Sequence, residues 1–200
     1  MDFLDAIIHR RSVYKLSAET TVSDDRVVEI VKTAIDHMPS PWNGQEQRAM
    51  VLLGEKHVQL WDIVEEVLVA RVAPERVGTT QRKIAGFRAG RGTVMFFDDR
   101  DVVANLQEKF PKYHDTFEIW AEQCMGMAEY GVWIALEAEG LGCNLQHYNP
   151  IIDDEVRAAF DVPESWRLGA ELVFGHPVTW PGPREHMPID ERVRVEGLEG

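Results

Sequence analysis

A long proline-free stretch at residues 117–139 constrains the fold more than any other part of the chain. A helix that is apolar most of the way round is either central in its domain or covered by a second subunit. The residues that recur at three- and four-residue intervals, as one buried helical face requires, are Ile119, Trp120, Cys124, Met127, Tyr130, Ile134 and Ala138. Further apolar residues on its other faces are Met125, Val132, Trp133 and Leu136. The stretch ends at Gly140-Leu141-Gly142, where glycine suits a helix C-cap.

The run that follows, residues 143–150, is unusually polar for a segment next to a buried helix. It contains Asn144, Gln146, His147 and Asn149 and ends at Pro150. One interpretation is a strand with solvated side chains that leads into a turn. The alternative is that its backbone and polar side chains line a ligand. The spacing alone leaves both open.

Apolar strand-like runs at 48–53, 93–97 and 168–174 alternate with helical patterns along the rest of the chain. Interleaved strands and helices around a long central helix predict a layered α/β or α+β domain. The length of 200 residues suits a single domain over 1–200, and a 44% hydrophobic composition can fill its core. Pro181-Gly182-Pro183 is typical of a linker, so we expect a C-terminal arm at about 181–200. The end of this tail alternates like an edge strand or an arm.

The charge balance excludes several classes of partner. The net charge is −13, with 34 acidic and 21 basic residues, which argues against general nucleic-acid binding and against an anionic membrane surface. The N-terminus is acidic where a signal peptide is basic, and no apolar run approaches the ~20 residues of a membrane span. Only Cys124 and Cys143 could form disulfides. Such sparse cysteine favours a reducing, cytoplasmic location.

Two adjacent arginines and a serine, Arg10-Arg11-Ser12, follow a short amphipathic pattern at the N-terminus. They fit a solvated helix end, because cations suit the negative pole of the helix dipole. They also fit an anion site in which guanidinium groups and a hydroxyl hold a phosphate. The loop at 39–45 combines prolines with Trp42 and amide side chains, which are common in connections and also suit the edge of a heterocycle.

Several familiar motifs fail. Gly140-Leu141-Gly142 ends a helix and lacks the third glycine of a dinucleotide fingerprint. No histidine pair or cysteine pair has the spacing of a zinc site, so we predict no metal. Cys143 and His147 would share a strand face, yet nothing nearby supplies an oxyanion hole. The sequence offers no protein nucleophile, which favours a bound cofactor if the protein is an enzyme.

Four blocks together resemble the FMN-dependent nitroreductase family, most closely its short nitroreductase-like branch. They occur in the family's order at 10–14, 39–45, 90–97 and 140–150. The resemblance implies an α+β nitroreductase-like fold with a mixed central β-sheet wrapped by helices. It also implies an intertwined homodimer that binds FMN at the subunit interface and buries the long central helix against its partner.

The resemblance also implies roles for individual residues. Arg10, Arg11 and Ser12 correspond to the segment that meets the flavin phosphate and ribityl chain, with Tyr14 where many relatives carry a lysine. Near the C-terminus, Arg184 and His186 fall at positions whose cations reach the same phosphate. The residues that the other subunit would lend to the flavin are Ser40, Trp42, Asn43 and Gln45.

Other residues correspond to contacts with the flavin ring. Lys83 falls where a cation neighbours the pyrimidine ring. Leu145, Gln146 and His147 match the strand whose backbone passes the reactive N5 edge, with a main-chain N–H from about His147 as donor. Trp42 and Trp120 are candidates for the substrate pocket.

The leading hypothesis is therefore a ping-pong flavoenzyme. It passes electrons from NADH or NADPH to a small aromatic acceptor of the nitroaromatic or quinone type. One alternative is a flavin-binding regulatory or carrier protein with little turnover. Another is a dimeric protein that binds no flavin.

Overall fold

The computed structural model describes residues 2–198, and the core of the fold is a five-stranded sheet with helices on both faces. The strands are β1 (Leu16–Ser17), β2 (Gln47–Leu53), β3 (Gly92–Asp99), β4 (Gly142–Gln146) and β5 (Trp166–Pro177). The helices are α1 (Phe3–His9), α2 (Asp24–Asp36), α3 (Glu55–Val69), α4 (Pro74–Arg88), α5 (Arg100–Lys109), α6 (His114–Ala138) and α7 (Asp153–Phe160). The predicted α+β class is confirmed.

Strand β5 is the centre of the sheet. It pairs with β3 along one edge, and β3 pairs with β2. The other edge of β5 is shared, since β4 pairs with residues 171–175 and β1 with residues 176–177. All these named pairs are antiparallel, and the parallel contribution to the expected mixed sheet is a bridge between Ser12 and Cys143. Because β1 and β4 follow each other along one edge, the chain before β1 is brought beside β4.

The sheet separates two apolar cores. One lies between the sheet and helices α3, α4 and α7, and its largest fully buried side chains include Trp61 and Phe87. The other lies between the sheet and helices α2 and α6, and contains Val132, Leu136 and Phe174. Fully burying an apolar side chain of this size stabilises the fold by about 1.5–3 kcal/mol. These two cores hold the sheet, and therefore the strand edge that carries the site, in place.

Helix termini follow the sequence closely. Ser23 is the N-cap of α2, and its hydroxyl accepts a hydrogen bond from the backbone N–H of Arg26. After α6, Gly140 adopts φ +90°, the conformation expected of a C-terminal glycine. Among the described residues, no helix has both the length and the apolar character needed to cross a bilayer.

Helix α6 has 25 residues and begins at His114, three residues before the predicted stretch. Within one chain the predicted face is covered only in part. Cys124 and Ile134 are buried, whereas Ile119, Met127 and Tyr130 are 58%, 42% and 40% exposed. The side of α6 that packs within the chain includes Met125 and Val132, which belong to the core with α2 and the sheet. We call Ile119, Met127 and Tyr130 the exposed α6 face.

The C-terminal arm is exposed. Residues 182–198 lie at the surface, with one short 3-10 helix at Ile189–Glu191. No strand pairs with residues 184–198, so of the two alternatives for the end of the arm the edge strand is absent from the described chain. The last two residues of the predicted arm, 199 and 200, lie outside the described part of the chain.

Candidate functional site

The segment that follows α1 lies along β4. The N–H of Val13 donates to the carbonyl of Cys143 over 2.8 Å, and Asn144 Nδ2 donates to the carbonyl of Val13, also over 2.8 Å. The Gln146 amide continues this line, because its Nε2 donates to Asn144 Oδ1 over 2.9 Å. The interpretation of β4 as a strand with solvated side chains is therefore wrong for Asn144 and Gln146, which are 0% and 8% exposed.

A cavity of about 510 Å³ opens at the start of this segment. Its lining includes Arg10, Arg11, Ser12 and Tyr14 from the N-terminal segment and Arg184 from the arm. Sequence reasoning missed the other lining residues, which are Lys15, Thr179, Trp180 and Pro181. Four cationic side chains around one cavity, in a chain of strongly negative net charge, are suited to an anion such as a phosphate. We call this space the anion cavity.

Contacts with the arm help to shape the anion cavity. The N–H of Val178 donates to the carbonyl of Lys15 over 2.9 Å, which brings the start of the arm beside the N-terminal segment. The Arg11 guanidinium donates to the carbonyl of Gly182. His186 is exposed and outside the lining, but its Nε2 accepts a hydrogen bond from Arg184 Nε over 3.3 Å. Arg184 therefore lines the anion cavity, and His186 contacts it only through Arg184.

Beneath the N-terminal segment lies a carboxylate that the sequence analysis did not single out. Glu137 of α6 is 1% exposed and accepts hydrogen bonds from the Arg11 N–H over 3.1 Å and from Trp133 Nε1 over 2.9 Å. Burial raises its pKa to about 7, although these N–H groups and the charge of Arg10 act in the opposite direction. The guanidinium of Arg10 stacks 4.6 Å from the Trp133 ring. The sequence signal that could have pointed to Glu137 is its position four residues after Trp133 on an apolar helix.

The end of β4 leads away from the anion cavity. Leu145 is half-buried against the α2–α6 core, and His147 is exposed. Lys83 of α4, which the resemblance assigns to the flavin ring, lies 5.5 Å from the ring of Tyr148 and therefore next to this segment. The charge of Tyr14 contributes to raising the pKa of Tyr148, after burial and Glu171. The segment 145–148 therefore connects the anion cavity with Lys83.

Cys143 does not form a nucleophile–base pair with His147. Its side chain is fully buried, and burial raises the pKa of its thiol well above the usual value. A thiol of raised pKa is a poor nucleophile. The structure agrees with its assignment as a small apolar core residue.

The loop at 40–45 has a strained backbone. Trp42, Asn43 and Gln45 have φ of 50°, 54° and 55°, and the Ser40 hydroxyl accepts a hydrogen bond from the Gln45 N–H over 2.9 Å. Non-glycine residues in the left-handed region cost of order 1–3 kcal/mol each and persist where the surroundings enforce them. Such strain is concentrated at functional sites. None of the four loop residues lines the anion cavity of the same chain.

The strained loop holds Trp42 against an aromatic group. Trp42 stacks on Phe110 with ring centroids 4.8 Å apart, and the rings of Tyr113, Phe117 and Trp120 lie at 5.3, 5.5 and 5.7 Å. Trp42 is 50% exposed and Trp120 is half-buried, so one side of this group faces outward. We call these five rings the aromatic cluster. Sequence reasoning found Trp42 and Trp120 and missed the other three.

Comparison with known proteins decides the family. The model of the nitroreductase family matches residues 7–176, which includes most of the anion cavity and the whole of β4. The chain belongs to the nitroreductase family. Membership of this family makes the protein an oxidoreductase. The predicted nitroreductase-like fold is confirmed.

Similar nitroreductases span the whole chain. The nitroreductase FRM2 of Saccharomyces cerevisiae is 34% identical over 184 residues, 90% of each sequence. CinD from Lactococcus lactis, solved in complex with chloramphenicol and with 4-nitrophenol, is 38% identical. It covers 98% of this chain and 100% of its own, with a TM-score of 0.89. A Desulfovibrio desulfuricans protein solved in complex with FMN shares the fold, with a TM-score of 0.69 and 22% identity over 98% of this chain and 97% of its own.

Proposed function

We propose that this nitroreductase-family protein is an FMN-dependent oxidoreductase that passes electrons from NADH or NADPH to nitroaromatic or quinone-type acceptors in a ping-pong cycle. The observation that carries the proposal is the anion cavity, which is lined by residues of the 10–15 segment and of the arm. The Ser12–Cys143 bridge joins this segment to β4. Its four cations and the Ser12 hydroxyl have the donor chemistry of a phosphate site. Family membership and the FMN complex of the Desulfovibrio protein support flavin as the ligand.

The residues divide between the two ends of the flavin. Arg10, Arg11, Ser12 and Arg184 would hold the phosphate, with Tyr14 beside the ribityl chain and His186 supporting Arg184. The ring-end residues would be Lys83, Leu145, Gln146 and His147, with the His147 main-chain N–H directed at the reactive edge. When bound, FMN supplies the electron transfer. The chain's own residues hold it, orient it and stabilise charge on its ring.

A homodimer would complete the site. The loop residues Ser40, Trp42, Asn43 and Gln45 lie outside the anion cavity of their own chain, as expected if the partner lends them. Exposed apolar side chains on the exposed α6 face and on α1, where Phe3 and Leu4 are more than two-thirds exposed, support a covered interface. The arm at about 181–200 would reach across the partner. A cytoplasmic location and a single domain over 1–200 stay predictions from the sequence.

The aromatic cluster suits a flat aromatic acceptor. The outward-facing rings of Trp42 and Trp120 can stack on such a molecule. CinD, which is similar to this chain, was solved with 4-nitrophenol. In the proposed dimer, the loop would bring Trp42 to the flavin of the other subunit. This places the acceptor between the flavin and the cluster.

The test begins with the visible absorption spectrum of the purified protein before and after addition of FMN and desalting. We expect flavin bands at one FMN per chain and NAD(P)H-dependent reduction of 4-nitrophenol in the same sample. The double variant Arg11→Ala/Arg184→Ala should lose FMN on desalting, whereas Arg76→Ala, an exposed arginine of α4, should retain it.

Three results would distinguish the hypotheses. Flavin bands with acceptor-dependent turnover support the proposal. Flavin bands without turnover favour the carrier alternative, which Tyr14 in the place of the common lysine also favours. A wild-type protein that refuses added FMN, with a double variant indistinguishable from it, refutes both.

A further inference from the structure

A buried glutamate lies directly behind the segment that carries His147. Glu171 of β5 is the pairing partner of Gln146 in β4 and is 0% exposed. Its Oε2 accepts a hydrogen bond from the backbone N–H of Tyr148 over 3.1 Å. This bond ties the residue that follows His147 to the central strand of the sheet. The backbone next to the exposed His147 is therefore fixed by the buried carboxyl of Glu171.

Glu171 belongs to a group of buried oxygens. Its Oε1, the Tyr148 hydroxyl and Asp153 Oδ1 are all buried, and none has a hydrogen-bond partner among residues 2–198. We call Glu171, Tyr148 and Asp153 the Glu171 cluster. Buried polar atoms are normally hydrogen-bonded, and exceptions concentrate where a group has a functional role. A carboxylic acid can donate through one oxygen while the other accepts.

The charges around Glu171 favour its protonated form. The pKa of Glu171 is raised to about 8, chiefly by burial, with a smaller contribution from the carboxylates of Asp153 on α7 and Glu129 on α6 and against the opposing effect of the Tyr148 N–H. From α4, Lys83 reaches the ring of Tyr148. At neutral pH the side chain is therefore a neutral acid. Its ionisation would place a third negative charge beside two carboxylates.

We infer that Glu171 is a positioning residue for the segment 145–148. It holds Tyr148 and thereby fixes the main-chain N–H of His147 at the edge of the proposed flavin-ring site. This role rests on the proposed function. It is not a catalytic role, because the carboxyl is fully buried and acts through Tyr148. Small misplacements of a reacting geometry, of about 1 Å, can cost about a hundredfold in rate. A buried residue that supports the contacting segment prevents such misplacements.

The first test needs no flavin. Hydrogen–deuterium exchange of the peptide that contains residues 146–152 is compared in the wild type, Glu171→Gln and Glu171→Leu. Glutamine keeps an acceptor for the Tyr148 N–H and leucine removes it. We expect faster exchange at Tyr148 in Glu171→Leu and wild-type exchange in Glu171→Gln. Equal exchange in all three overturns the inference.

The second test uses the FMN-loaded protein. The wild-type kcat should fall as pH rises through about 8, where Glu171 ionises, and Glu171→Gln should lack this alkaline fall. Glu171→Leu should bind FMN at the same stoichiometry, shift its reduction potential and lose at least about tenfold in kcat, more than in KM. The matched control is Glu65→Gln, a partly buried carboxylate bonded to Arg88, which should keep the wild-type profile.

The failures can be told apart. A wild type without flavin bands refutes the proposed function, whatever the exchange data show. A wild type that turns over while Glu171→Gln keeps the same alkaline fall overturns the role of Glu171 alone. If Glu171→Leu does not fold, the pH profile of Glu171→Gln decides.

Discussion

Replacing Glu137 with glutamine should change how stability depends on pH. Burial raises the pKa of this carboxyl from 4.5 to about 7. Between these values the folded protein keeps a proton that the unfolded chain has lost. Because the folded state binds more protons there, the free energy of unfolding falls as pH rises through this window and levels off above it.

The size of the effect follows from the shift. One pKa unit corresponds to about 1.4 kcal/mol, so the wild type should lose roughly 3 kcal/mol of stability from this group across the window. Glu137→Gln has no proton to lose, and its amide oxygen still accepts from Arg11 or Trp133. The difference in unfolding free energy, Glu137→Gln minus wild type, should therefore rise by roughly 3 kcal/mol between about pH 4.5 and about pH 7.

The assay is urea denaturation without flavin at several pH values across this window. Glu139→Gln is the matched control, because its carboxylate lies two residues further on, pairs with Arg26 and is partly solvated. The control difference should stay nearly constant with pH. A Glu137→Gln difference that is equally flat would refute the reasoning, since the buried carboxyl would then not be linked to folding.

Three further changes test other parts of the structure. Asp98 is 0% exposed and pairs with Arg100 and Arg167, each at 2.8 Å. Asp98→Ala should therefore lower the free energy of unfolding in urea by about 3–5 kcal/mol. A loss below about 1 kcal/mol would contradict a buried ion pair. Trp42→Ala should raise KM for 4-nitrophenol severalfold without loss of FMN, whereas Trp42→Phe should keep most of the affinity; equal KM values would place the acceptor elsewhere. Tyr130→Glu on the exposed α6 face should shift the protein toward monomer in sedimentation, and an unchanged sedimentation coefficient would exclude that face from the interface.

Local patterns in the sequence predicted most of the fold. Gly140 marks the end of α6 because a C-cap acts within a few residues. The proline-free stretch gave α6, but its start at His114 was missed, since a preceding 3-10 helix at Pro111–Tyr113 continues directly into it. The predicted face is covered only in part within one chain, and Ile119 and Ala128 both fit a helical period. Only the position of α2 and the sheet decides which one is buried.

The site was predictable where charge stands out against its background. Arg10 and Arg11 could be found because two adjacent arginines stand out in so acidic a chain. Arg184 came only from the family resemblance, and the structure places all three around one cavity. Glu137 and Glu171 could not be found in this way, because acids are common here and each normally indicates a solvated position. Their burial depends on contacts such as the Glu137–Arg11 hydrogen bond, which spans 126 residues. No local pattern records such a contact.

The anion cavity is assembled from the two ends of the chain, and this sets when it can form during synthesis. Val13 is joined to Asn144 across 131 residues, and Arg184 completes the lining from the arm. A ribosome that has made the first half of the protein has therefore produced the arginines without the strand that orders them. Contacts of such sequence separation form late, after the sheet they depend on. An anion that needs the complete lining must therefore wait until residue 184 has been made, and nascent chains that end before β4 lack the strand that orders these arginines.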